Sequence, residues 1–158
     1  MSDEIDLEMM NAGFGQYIPY NRALGLKILS ASRGPAVVTS TLPWKPELVG
    51  NPETGVLHGG ALTAAIDATC GSAVFLHLTD PSPIATLDLR VDMLTPSIPR
   101  RDVFVRAEVV RTTHNVGFCT AIAYQDDAGA PIATAAGTFM LGTKGALQLG
   151  GPAREKQP

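Results

Sequence analysis

Charge and cysteine are both scarce in this chain. Charged residues make up 17% of its 158 positions and the net charge is −3 at pH 7. That is too weak a field, and of the wrong sign, for general nucleic-acid binding. Two cysteines, Cys70 and Cys119, cannot build a disulfide framework and form no metal-ligand or redox pattern. Their scarcity sets the expectation of a reducing, cytoplasmic setting without a bound metal. The acidic opening, Met1 to Glu8, argues against a secretion or import signal. Gly-x-Ser-x-Gly is missing, and so is an alternation of strands with helices, which excludes an α/β-hydrolase. Neither an internal repeat nor a linker divides the sequence, and its length fits one domain with a sizeable core.

Against this background one stretch stands out. From Gly59 to Leu78, twenty residues carry no charge except Asp67. A lone carboxylate in an apolar helix is costly unless it is paired or has a task. The run is long enough to cross a bilayer. Its Thr63, Thr69, Ser72 and Asp67, its many small residues and its lack of basic flanks point instead to a helix buried under a sheet. Asp80-Pro-Ser-Pro83 stops it.

The remaining segments read as strands. Residues 5–24 form a weak helical lead-in broken by Gly13, Gly15 and Pro19. Leu24–Ser32 and Ala36–Leu42 make a hairpin through Arg33-Gly34-Pro35. A Pro- and Gly-rich loop, 43–57, leads to His58-Gly59-Gly60. Ile84–Leu94 alternates, with Leu87, Leu89, Val91 and Met93 on one face and Asp88, Arg90 and Asp92 on the other. Val103–Thr113 and Val116–Gln125 form a second hairpin, and Pro131–Leu141 is the last strand. The expected division is a lead-in over 1–23, an α+β domain over 24–142 and a tail over 143–158. One sheet wraps a helix that is apolar on nearly every side, so a second subunit is expected to complete its burial.

Spacing constrains the chemistry. A glycine-opened helix start offers N–H groups to a developing oxyanion, and a carboxylate supplies a base or nucleophile. Gly59 and Asp67 are eight residues apart, or roughly 12 Å along a helix. If they act on one carbonyl, they must come from different subunits of a two-fold dimer.

The stretches Gly55-Val-Leu-His-Gly-Gly-Ala-Leu62, Asp67 nine residues after His58, Thr86-Leu-Asp-Leu-Arg-Val-Asp-Met-Leu-Thr-Pro96 and Gly129-Ala-Pro-Ile-Ala-Thr-Ala-Ala-Gly-Thr-Phe-Met140 carry a resemblance. The chain resembles the hotdog-fold acyl-CoA thioesterases of the phenylacetate-pathway and 4-hydroxybenzoyl-CoA thioesterase branch. The resemblance implies a long helix wrapped by five or six antiparallel strands, assembled as a dimer or a dimer of dimers. It implies hydrolysis of an aryl- or medium-chain acyl-CoA, with coenzyme A as part of the substrate and no separate cofactor. Asp67 matches the family's nucleophile or general base, and Gly59 the N–H that polarises the thioester carbonyl. His58, a further candidate site residue, could serve as a general base but reads rather as ordering the loop and helix start by hydrogen bonding. Asn51, seven residues before His58, stands one residue from the family's Asn or Gln, whose slot Pro52 holds. Thr86 matches a hydroxyl that orients the water or carboxylate. By strict alternation Thr86 falls on the Asp88 face, so it reaches the site only if the strand entrance twists or the site opens at that edge. The turn Arg111-Thr112-Thr113-His114-Asn115-Val116 matches the nucleotide-binding turn. Five of the twelve basic residues (Arg90, Arg100, Arg101, Arg106, Arg111) cluster near it.

Plainer readings stand beside these. Asp67 could sit exposed on a helix edge, the arginines could be a solvated strand face, and Cys70 reads as a small buried residue. Trp44 reads as a loop anchor. The alternatives in function are a hotdog hydratase, which needs a His a few residues from the Asp, and a non-catalytic acyl-CoA-binding domain.

Overall fold

The computed structural model describes residues 5–143; of the expected tail, all but its first residue lies outside that range. The lead-in folds into helix α1 (Leu7–Asn11), a π-helical turn (Ala12–Tyr17) and helix α2 (Pro19–Leu24). Asp6 caps α1 by accepting from the Glu8 and Met9 N–H groups. Gly25, at φ 78°, ends α2 in the left-handed conformation that glycine adopts freely. Leu24 is therefore the last residue of a helix, not the first of a strand. Strand β1 begins three residues later (Lys27–Arg33).

The lead-in is fastened to the sheet. Asn11 donates to the Ile28 carbonyl and accepts from the Ile28 N–H, at 2.9 and 2.8 Å, imitating one more rung on the edge of β1. Phe14 is buried in the core, and Asn21 donates to its carbonyl oxygen.

After β1 come β2 (Ala36–Leu42) and a 3-10 turn (Pro46–Leu48). A small hairpin of β3 (Val49–Asn51) and β4 (Val56–Leu57) leads into the long helix α3 (Gly59–His77). Strands β5 (Ile84–Met93), β6 (Val103–Thr112), β7 (Val116–Tyr124) and β8 (Ala133–Leu141) complete the chain. Six strands form one antiparallel sheet in the order β1-β2-β6-β7-β8-β5, wrapped around α3 as the resemblance implies. The β-branched and aromatic content of these segments suits a half-buried pleated surface. Ala61, Leu62, Ala65, Ile66, Cys70 and Val74 of α3 are buried against the sheet. Although α3 has the length and apolar content of a membrane span, here it is the core helix of the sheet. Its opposite flank, Ala64, Asp67, Ala68, Gly71, Ser72 and Phe75, is only half-buried. The lead-in covers part of that flank, a role expected of a second subunit.

The edge strand β5 departs from strict alternation. Thr86 pairs with Phe139 and Asp88 with Thr138, so Leu87 is an extra residue in a β-bulge. One inserted residue flips every side chain before it to the other face. Leu87 is consequently about half exposed instead of sharing a face with Leu89, and Thr86 turns toward α3.

Candidate active site

Asp67 lies at the middle of α3, and the bulge brings Thr86 against it. The Thr86 hydroxyl donates to Asp67 Oδ1 at 2.9 Å. Asp67 Oδ2 has no protein partner among the described residues. The strand-entrance twist on which Thr86 depended is thus supplied by a single inserted residue. Ser72, a second hydroxyl on the same helix, instead donates to the Ala68 carbonyl at 2.9 Å.

The carboxylate borders a cleft of about 670 Å³ between α3 and the lead-in. Its walls are mainly apolar, with Met10, Phe14, Tyr17, Phe75, Ile84 and Phe139 among them. Nothing in the sequence of the lead-in announced a wall, because its apolar residues follow neither a helical nor a strand period for long. A π-helical turn explains this irregularity, since its spacing matches neither template.

At the other end of the helix start, His58 is the N-cap, and its Nδ1 accepts from the Gly60 N–H at 2.9 Å. The Ala61 and Leu62 N–H groups donate to the His58 carbonyl at 3.0 and 3.3 Å. Of the first four N–H groups, that of Gly59 alone finds no partner among the described residues, and Gly59 is exposed. The geometry leaves one donor free, at the position the resemblance indicated. The His58 N–H donates to the Leu48 carbonyl at 2.8 Å, tying the helix start to the small hairpin. Gly50 permits this approach, since a Cβ there would stand 2.9 Å from His58 Cα.

Asn51 is exposed in the same hairpin, where its Oδ1 accepts from the Glu53 N–H at 2.9 Å. Its side chain organises the 51–55 turn and makes no contact with Asp67 of its own chain. Trp44 anchors the loop, donating from Nε1 to the Gly55 carbonyl at 3.0 Å. The turn from Arg111 to Val116 closes the β6–β7 hairpin through the Thr113 N–H to Val116 carbonyl bond of 2.8 Å. It is exposed and lies outside the cleft walls.

The arginine cluster is less free than its sequence suggests. Arg90 pairs with Asp92 and Arg106 with Glu108, each at 3.1 Å, and Arg101 pairs with Asp126. Arg100 and Arg111 are the members of the cluster without a carboxylate partner among the described residues. Both cysteines are buried. The neighbouring Cys119 thiol, together with burial, pushes the Cys70 thiol far above the usual cysteine range. Cys70 therefore stays protonated and is no nucleophile.

A family model described as the thioesterase superfamily matches residues 54–132, half of the chain. The matched span contains the capped helix start, Asp67 and Thr86. The chain belongs to the thioesterase superfamily. As a member it is a thioester hydrolase. It is 28% identical over 155 residues to the medium/long-chain acyl-CoA thioesterase YigI of Salmonella typhimurium, covering 90% of this chain and 97% of the relative. A crystal structure of a Pseudomonas aeruginosa protein is 42% identical with a TM-score of 0.75, covering 85% of this thioesterase and 97% of the other chain. The phenylacetic acid degradation protein PaaI of Thermus thermophilus, in the structure of a mutant form, is 24% identical with a TM-score of 0.66. The match covers 77% of this thioesterase and 97% of PaaI, a likeness of fold.

Proposed function

We propose that this thioesterase hydrolyses acyl-CoA thioesters of medium chain length, at two equivalent sites each shared by two subunits. The observation that carries the reading is the pairing of an oriented carboxylate with an apolar cleft. Asp67 is fixed on one oxygen by Thr86, open on the other, and borders about 670 Å³ of mainly apolar space. A volume of that size suits a ligand of tens of atoms. A single aryl ring would fill only the part nearest Asp67. The name of the Salmonella relative, a medium/long-chain acyl-CoA thioesterase, favours the same substrate class.

The thioester carbonyl oxygen accepts from the Gly59 N–H of one subunit. Asp67 of the other subunit, through its free oxygen, draws a proton from a water whose oxygen bonds to the carbonyl carbon. The carbon–sulfur bond then breaks, and the departing CoA thiolate takes up the proton. Thr86 holds the carboxylate with its free oxygen toward the attacking water throughout. The roughly 12 Å between Gly59 and Asp67 along one helix is what requires two chains. The half-buried flank of α3 and the unpaired outer edge of β5 are the surfaces available for that contact. The exposed Arg111–Val116 turn, with its unpaired arginine, takes the nucleotide phosphates.

A hydratase needs an acid/base histidine beside the carboxylate. The three histidines are His58, His77 and His114; none borders the cleft of its own chain, and His58, which Gly59 would bring to the partner's site, has its Nδ1 occupied by its capping bond. A non-catalytic acyl-CoA-binding domain would need no oriented carboxylate. The test is thiol release from a panel of aryl- and alkyl-acyl-CoAs by the wild type, Asp67→Ala and Asp67→Asn. Loss of hydrolysis in both variants, with CoA binding and oligomeric state retained, is the expected result. Turnover that survives both changes would remove Asp67 from the mechanism, and binding without turnover in the wild type would favour the binding domain.

A further inference from the structure

The cleft beside Asp67 has a wall that no function so far explains. Along α3 it follows Asp67, Gly71 and Phe75, positions spaced by four residues and so roughly 6 and 12 Å from the carboxylate along the axis. Its opposite wall belongs to the lead-in, and Gly13 of the π-helical turn lines it. Single π-helical turns are rare and concentrate at functional sites.

The two glycines of this turn have different reasons to be there. A Cβ at Gly15 would lie 2.6 Å from the Leu26 carbonyl oxygen, so close packing requires glycine. At Gly13 a Cβ would meet nothing within 4 Å, and its backbone is not in the left-handed region. Neither packing nor conformation asks for glycine at 13, although glycine destabilises a helix interior relative to alanine. What the missing side chain leaves behind is open space in the cleft. Met9 and Met10, flexible side chains that adapt to irregular apolar ligands, line the same wall.

We infer that the π-helical turn of the lead-in is the chain-length determinant of this thioesterase, with the bare Gly13 giving the distal methylenes of the acyl chain their room. The inference rests on the acyl-CoA reading above but concerns a different part of the molecule. It makes the lead-in a specificity element, separate from the carboxylate and the helix start that perform hydrolysis.

Non-hydrolysable S-hexyl- and S-dodecyl-CoA thioethers test it by titration calorimetry, alongside kcat/KM for hexanoyl- and dodecanoyl-CoA. Gly13→Leu should lower the S-dodecyl-CoA to S-hexyl-CoA affinity ratio at least about tenfold, since each excluded methylene is worth about fourfold. The kcat/KM ratio should move in parallel. Gly13→Ala, for which the structure has space, should shift both ratios the same way by less. It decides the matter if the leucine variant does not fold. Equal losses for both lengths, or ratios unchanged in both variants, would overturn the inference. If the wild type cleaves neither thioester but its thioether length preference still depends on residue 13, the chain-length role stands and hydrolysis of acyl-CoA falls. If it cleaves both with a ratio indifferent to residue 13, the reverse holds.

Discussion

The Thr86 hydroxyl reaches Asp67 Oδ1 across 2.9 Å because Leu87 is an extra residue in β5. Without that bulge Thr86 would point away from α3, and the carboxylate would have no protein donor to fix its rotamer. Leu87 itself is left half exposed on an edge strand, a position at which apolar side chains are seldom useful to a single chain. Orientation of the carboxylate thus depends on a local irregularity as much as on the identity of residue 86.

Removing the Thr86 hydroxyl while keeping its shape tests this orientation. A hydrogen bond to a charged group is worth about 1.5–3 kcal/mol, so Thr86→Val should lower kcat by roughly 10- to 100-fold. Thr86→Ser should restore most of it. KM should change little, because the hydroxyl holds the carboxylate and not the acyl chain. A kcat within twofold of wild type in the valine variant would mean that Asp67 is held by something else.

The division of labour between the two oxygens of Asp67 has an isotopic consequence. Oδ1 is engaged by Thr86, and Oδ2 is the free acceptor. A carboxylate that acts as base leaves its own oxygens unexchanged, whereas a nucleophile passes one to the product when water opens the mixed anhydride at the aspartyl carbon. Single turnover in ¹⁸O-labelled water should therefore put the label in the released acid and none in Asp67. Label found in the Asp67 peptide after one turnover would show instead that the carboxylate attacks the carbonyl directly.

The helix α3, the hairpins around it and the carboxylate were legible in the sequence, because a twenty-residue uncharged run and alternating strands announce themselves through hydrophobic period. The bulge was not, since an inserted residue leaves alternation intact on either side and shows only in pairing. Leu87 accordingly reads as a core residue in sequence and proves exposed. The arginine cluster misleads for a related reason. Arg90 and Asp92, like Arg106 and Glu108, sit two apart on one strand face, and their pairing is a matter of side-chain geometry. At the lead-in, a weak helical pattern was the visible remnant of a π-helical turn, and the cleft wall it forms left no periodic trace.

The buried thiols give a prediction about reactivity. With its pKa raised by the neighbouring Cys119 thiol and by burial, Cys70 forms no thiolate across the neutral range. Native protein at pH 8 should therefore resist iodoacetamide at Cys70 and label there after denaturation, as read by peptide mass. Hydrolysis should survive Cys70→Ala, although that position is one turn from Asp67. Rapid native labelling of Cys70 with loss of activity would contradict the structure.

His58 should act on stability more than on chemistry. Its Nδ1 accepts the Gly60 N–H, so His58→Ala removes an N-cap worth about 1 kcal/mol and should lower Tm by roughly 2–4 °C. His58→Asn, which can cap in the same way, should recover most of that loss. If the alanine variant melts like wild type, the capping bond contributes nothing in solution.

The strongest test of a shared site separates its two halves genetically. Gly59→Pro deletes the one unpartnered N–H at the start of α3, and the substitution suits the fold. Proline is favoured at the first helical position. The preceding residue, His58, already has the extended backbone that proline demands, with φ −66° and ψ 132°. A Cβ at residue 59 would meet only Met93 Cε, at 3.6 Å. Gly59→Pro and Asp67→Asn should each abolish hydrolysis alone. Unfolded together, mixed one to one and refolded, half of the dimers should be hybrids. In each hybrid, one site takes Gly59 from the Asp67→Asn chain and Asp67 from the Gly59→Pro chain, and is wild type. Activity should therefore return to about a quarter of the wild-type value. A mixture as inactive as its parents, with hybrids shown to form by mass, would put both groups of each site on one chain and require a different donor for the oxyanion.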